Sequence, residues 1–150
     1  LLSPARIMAA MNEELRALDT GKHLTVFCGV IDVNLQTLTY AVGAHYPPPI
    51  LCNGNEVMQL AGSGLPLGLF PGAKYEEHVV ALQQRFSLVA ASDGILEILP
   101  ASDLVAKEAL LRAEVAAADG QLDVLVERLG LPLVRDVPDD IALLMIQRDE

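Results

Sequence analysis

Only three residues, Asn34-Leu35-Gln36, separate the apolar run from Leu24 to Val33 from the strand-like Thr37-Leu38-Thr39-Tyr40-Ala41-Val42. A link that short joins antiparallel strands, because a parallel pair needs a crossover of about a dozen residues or more. The pattern then repeats. Pro47-Pro48-Pro49 removes consecutive backbone donors and stops the first sheet, after which Ile50-Leu51-Cys52 and Glu56-Val57-Met58-Gln59-Leu60 flank Asn53-Gly54, a tight-turn pair that predicts a second hairpin. His78 to Leu82 and Phe86 to Ala91 also read as strands, and Ile141 to Ile146 reads as a buried strand closing the chain. Helices lie outside these runs. Ser3 and Pro4 open one with Ile7, Met11, Leu15 and Leu18 on a single face and Gly21 as its stop; Ser102 caps another through Leu104, Leu110 and Leu111; a third runs through Leu122, Leu125, Val126 and Leu129 to Gly130. Hairpin strands grouped apart from helices predict an α+β fold with antiparallel sheets.

Charge narrows the function. The 150 residues include 20 acidic and 10 basic side chains, a net charge of -10 that repels phosphate backbones and anionic lipid. Residues 1–86 hold 7 acids and 5 bases, whereas residues 87–150 hold 13 and 5, so the excess carboxylate sits in the second part. The expectation is therefore no nucleic acid and no membrane partner. No apolar run approaches the roughly 18 residues of a spanning helix, and no signal-peptide pattern is present, so the expected setting is cytoplasmic. Cys28 and Cys52 are too few to staple such a domain and are expected reduced, Cys28 as part of the core. Leu1-Leu2-Ser3-Pro4 is no initiator sequence, and the chain is expected to be a piece of a longer protein, residues 1–150 forming a single domain.

Two acidic motifs carry the chemistry. Asp93-Gly94 directly follows the apolar strand ending at Ala91, with Glu97 one helical turn on; the glycine leaves room for a cation to approach the carboxylate. Asp-Gly is also an ordinary turn pair. Pro138-Asp139-Asp140 leads into the last strand, and adjacent acids there repel unless solvent or a cation neutralises them. If the two strands are antiparallel neighbours, Asp93 and Asp139 can face one hard metal ion. The glycine-rich segment from Ala61 to Ala73, with two prolines, has loop composition; its Gly62-Ser63-Gly64 and Gly68 lack dinucleotide-loop spacing. His45, before Tyr46-Pro47-Pro48, suits a hydrogen-bonded structural role, and His78 an exposed strand edge.

The order of short motifs resembles the bacterial metal-dependent Ser/Thr phosphatases of type 2C in the SpoIIE/RsbU branch. The segments that carry it are Met11-Asn12-Glu13-Glu14-Leu15, Thr25-Val26-Phe27, Gly43-Ala44-His45-Tyr46-Pro47-Pro48, Leu65-Pro66-Leu67-Gly68, Ser92-Asp93-Gly94-Ile95-Leu96-Glu97 and Asp139-Asp140-Ile141-Ala142. The resemblance implies a sandwich of two antiparallel β-sheets flanked by helices, with a pair of Mn2+ or Mg2+ ions activating water for attack on a phosphoserine or phosphothreonine. It implies that Asp93 and Asp139 are catalytic residues holding one metal, with Gly94 and Asp140 supporting them. Ala142 and Ser92 stand where the family commonly has threonine. The family's first acidic motif, whose carboxylate bridges the metals, precedes the helix at which this chain begins. The chain is thus expected to be the C-terminal part of such a domain, inactive alone and active in its parent. Two readings stay open: a phosphatase in a signalling protein such as an RssB-type response regulator, acting on a phosphorylated anti-sigma-factor antagonist, or a degenerate adaptor that binds a sigma factor. A homodimer is compatible with either.

Overall fold

The computed structural model describes residues 2–136 and 139–149. Contacts divide them into two compact units, Leu1–His45 with Ala61–Leu82, and Tyr46–Leu60 with Gln83–Glu150.

The first unit begins with helix α1, Pro4–Ala17. Ser3 caps it by accepting from the Arg6 amide at 3.2 Å, and Glu77 accepts from the Ala5 amide at 3.1 Å and from the Ser3 hydroxyl. Strands β1 (Val26–Asp32) and β2 (Thr37–Gly43) form the expected hairpin in the register Val26 opposite Gly43 to Asp32 opposite Thr37. Asp32 Oδ1 accepts from the amides of Asn34 and Leu35, which folds the turn. Strand β5 (His78–Ala81) pairs antiparallel with β2, giving the sheet order β1-β2-β5. His78 lies on that edge strand but is half-buried, its ring stacked on Tyr40 at 5.1 Å, because the aromatic face offers it cover. Residues 61–77 run as a loop that contains the segment from Ala61 to Ala73 expected from its composition.

The buried stripe of α1 differs from the expected one. Pro4, Met8 and Asn12 are buried and Leu15 half-buried, while Met11 and Leu18 are exposed. The reason is polar: the Asn12 amide donates to Phe70 O at 2.9 Å and accepts from the Gly68 amide at 2.8 Å, so an asparagine occupies the inward position. The helix ends at Ala17, before the expected Gly21, as Asp19 turns into the left-handed region with φ 47°.

The second unit holds β3 (Ile50–Asn53), β4 (Glu56–Gln59), β6 (Phe86–Ala91) and β7 (Leu143–Arg148), antiparallel throughout in the order β4-β3-β6-β7. Gly54, at φ +62°, makes the tight turn between β3 and β4. Helices α2 (Ile95–Ile98), α3 (Leu104–Ala118) and α4 (Leu122–Arg128) follow β6. Ile50, Val89, Ala91, Ile95, Leu111, Val115 and Leu125 form the core beneath them.

Asp103, not Ser102, caps α3, its carboxylate accepting from the Ala106 amide at 2.9 Å. The last strand starts at Leu143, and it is not buried: Leu143 and Met145 are half-buried while Leu144 and Ile146 are exposed. As an edge strand it packs only one side of its pleat inward. Pro138 of the second acidic motif lies outside the described residues.

Candidate metal centre

The site grows from the paired ends of β6 and β7. Their last register pair is Ala91 opposite Leu143, so the two acidic motifs leave the sheet side by side. Ser92 then closes the gap. Its amide donates to Ala142 O at 2.9 Å, its hydroxyl donates to Asp140 O at 3.0 Å, and the same hydroxyl accepts from the Ala142 amide at 2.8 Å. One side chain thereby satisfies two backbone groups of the opposite segment that the ladder leaves without partners.

Gly94 completes the approach. It is buried with a helical φ of -53°, and a Cβ there would stand 2.4 Å from Asp140 O and 3.1 Å from Asp139 O. Only a residue without a side chain lets the strand end lie this close. Beyond it the chain turns at once into α2: the amides of Ile95, Leu96 and Glu97 donate to Ser92 O, Asp93 O and Gly94 O. Buried Ile95 and Leu96 anchor this turn in the core.

Four carboxylates in this unit, Asp93, Glu97, Asp139 and Asp140, are exposed. Asp139 Oδ1 accepts from the Asp140 amide at 2.9 Å. Among the described residues the Asp93 carboxylate makes no hydrogen bond or ion pair; the ion pairs there are Arg16–Glu13, Arg85–Asp119 and Arg128–Glu114. Among the described residues no basic side chain pairs directly with these four acids. Lys107 instead donates to Leu96 O at 2.6 Å, bracing α2 against α3, and Tyr46 donates to the Glu108 carboxylate.

The structure therefore brings Asp93, Gly94, Asp139 and Asp140 into one neighbourhood at the ends of antiparallel neighbours. His45 and Cys28 belong to the other unit, where the His45 ring packs 6.4 Å from Phe27 and half-buried Cys28 borders a core of Met8, Ala41 and Leu67. Burial pushes the Cys28 and Cys52 thiols up, away from thiolate chemistry. Sequence reasoning overlooked Ser92 as a fastener and Lys107 as a brace; the signal for Ser92 was its hydroxyl at the position before Asp93.

The donors fit a hard cation held in the open manner. Carboxylate oxygens suit Mg2+ or Mn2+, and Mg2+ commonly binds through one or two carboxylates, keeping waters and taking substrate phosphate as further ligands. They do not form a closed site. Among the described residues no three His, Cys, Asp or Glu side chains gather to hold a metal ion.

Residues 1–149 match the family described as Stage II sporulation protein E (SpoIIE). No curated protein matches the chain. Among solved structures, the RsbU and RsbW domains of Rv1364c from Mycobacterium tuberculosis share 24% identity at a TM-score of 0.76, covering 98% of this chain and 42% of that one. The phosphatase domain of the cell fate determinant SpoIIE from Bacillus subtilis, presoaked with Mn, shares 20% at 0.69, covering 99% and 67%. RsbX in complex with magnesium shares 13% at 0.62, covering 93% and 63%. The chain thus spans less than half of the first relative. These likenesses establish the α+β fold of type 2C phosphatase domains.

Proposed function

The chain belongs to the SpoIIE family of type 2C-like phosphatase domains, and on that premise we propose that it is the C-terminal part of a metal-dependent protein serine/threonine phosphatase domain. Its expected setting is a cytoplasmic bacterial signalling protein that dephosphorylates an anti-sigma-factor antagonist. The observation that carries this reading is the Ser92 and Gly94 contact that sets the Asp93 and Asp139 motifs side by side at the ends of β6 and β7. The relative presoaked with Mn and the one in complex with magnesium support the choice of ion.

In this reading Asp93 and Asp139 hold Mn2+ or Mg2+ and present it to solvent, where a phosphorylated side chain of another protein can reach it. A bound metal pair supplies an activated water and neutralises charge on the phosphoryl oxygens. The chain's own part is to fix the carboxylates. Asp140 contributes its carbonyl to the Ser92 clasp and its amide to Asp139, and Gly94 keeps that carbonyl close. Their anionic charge without the ion opposes approach of a phosphate, so hydrolysis requires the ion.

The test is hydrolysis of a phosphoserine protein by the full-length protein with Mn2+, with chelator, and with Asp93→Asn or Asp139→Asn. Activity that needs Mn2+ and disappears in both variants is expected. Hydrolysis that survives chelator and both substitutions removes the assignment.

A second reading is favoured by Ala142, which stands where the family commonly has threonine: a non-catalytic adaptor that binds a sigma factor. Full-length protein that retains regulation after Asp93→Asn, with no hydrolysis in either form, selects it.

A further inference from the structure

We infer that Ser92 is a positioning residue of the metal centre, setting the separation of Asp93 and Asp139 through its hydroxyl. The inference rests on the proposed metal site but concerns a residue that contributes no ligand to it. Ser92 stands one residue before Asp93, at the first position beyond the last ladder pair. Its amide continues the ladder by one bond, to Ala142 O, and there regular pairing ends. From that point two hydrogen bonds of its Oγ carry the alignment forward, to Asp140 O at 3.0 Å and from the Ala142 amide at 2.8 Å. Asp140 in turn fixes Asp139 by donating its amide to Oδ1. The hydroxyl thus reaches one acidic motif through Asp140 and the other through its own backbone.

Alanine at this position removes both Oγ bonds while keeping the amide bond. The Asp140 carbonyl then loses its hydrogen bond to the Ser92 hydroxyl. Threonine keeps the hydroxyl. Ser92 is only half-buried, so Ser92→Thr is the conservative restoration and Ser92→Ala the deletion.

Mn2+ titration by calorimetry on the full-length protein reads the effect, alongside hydrogen exchange of the Ala142 amide in metal-free protein. Ser92→Ala is expected to weaken Mn2+ binding about 10–100-fold, the range found when outer partners of metal ligands are removed. Ser92→Thr should bind within about threefold of the unsubstituted protein, by the same hydroxyl argument. Ala142 exchange should speed up in Ser92→Ala and stay slow in Ser92→Thr, with no metal present. A general loss of packing would speed exchange throughout β6 and β7, whereas the positioning role confines it to residues 140–142. The failures separate cleanly. If unsubstituted protein binds no Mn2+, or binds it equally with Asp93→Asn, the metal reading falls and the positioning role falls with it. If binding depends on Asp93 but Ser92→Ala binds as tightly as the unsubstituted protein, the positioning role alone is overturned.

Discussion

Gly94 adopts an ordinary helical φ, so its requirement is one of space rather than backbone freedom. The atom that a Cβ would meet at 2.4 Å is a backbone carbonyl, which cannot swing aside as a side-chain tip can. Gly94→Ala must therefore push the Asp139-Asp140 segment outward, and such overpacking costs about 1–3 kcal/mol. Urea denaturation should register that loss; a variant as stable as the parent would show that the approach yields easily. Tyr46 supplies a second prediction at this scale. Burial and then the Glu108 carboxylate, which accepts its hydrogen bond, push the phenol up from 10.0 to about 12. The folded state thus keeps a proton that the unfolded chain releases between those values. Stability falls as pH rises through that window and is fully present below about pH 10. Denaturation midpoints measured from pH 9 upward should decline less steeply in Tyr46→Phe; equal slopes would remove the Tyr46–Glu108 pair as the cause.

Helix α1 shows how one polar residue sets the orientation of an element. Apolar spacing in the sequence favoured a stripe through Ile7, Met11, Leu15 and Leu18, yet the helix turns Met8 and Asn12 inward, since Asn12 bonds backbone groups of the glycine-rich loop. Glu13 adds to this anchor by accepting from the Gly72 amide at 2.9 Å, a bond that leads the causes lowering its pKa. Met8→Ala, at a fully buried position, should then cost about 2–5 kcal/mol, whereas exposed Met11→Ala should stay within about 0.5 kcal/mol. Thermal denaturation of the two variants distinguishes the stripes, and a larger loss at Met11 would contradict the observed orientation. The same physics explains what the sequence could reveal. Both hairpins and the neighbouring acidic motifs were legible, because short links and strand-end carboxylates are local signals. Which face of α1 points inward and how far β7 is buried depend on partners distant in the chain: Phe70 and Gly68 for Asn12, and an edge position in the sheet for Leu144 and Ile146. The Ser92 clasp was hidden for that reason too, since its partners lie about fifty residues away.

At the scale of the whole molecule, a net charge of -10 attracts divalent cations diffusely as well as at any site, and the two effects need separating. Stability does this. A specifically bound ion stabilises the folded state by about 2.7 kcal/mol at a hundred times its Kd, which for a domain of this size raises Tm by roughly 5–10 °C. Asp93 makes no side-chain bond among the described residues, so Asp93→Asn should leave metal-free stability within about 0.5 kcal/mol of the parent, or raise it by relieving repulsion from the neighbouring acids. It should also erase the Mn2+-induced rise. Asp119 is the matched control. It carries the same charge in the same unit, paired with Arg85 at 2.7 Å, and the adjoining Gly120 lies against Ser87 and Gln147, toward the other end of β6 and β7. Its left-handed φ of 47° suits asparagine, so Asp119→Asn removes one charge and an exposed ion pair without straining the turn. Differential scanning calorimetry with Mn2+ and with chelator should show the full rise in Asp119→Asn and none in Asp93→Asn. Equal rises in the two variants would assign the effect to diffuse charge and leave the ends of β6 and β7 without a metal.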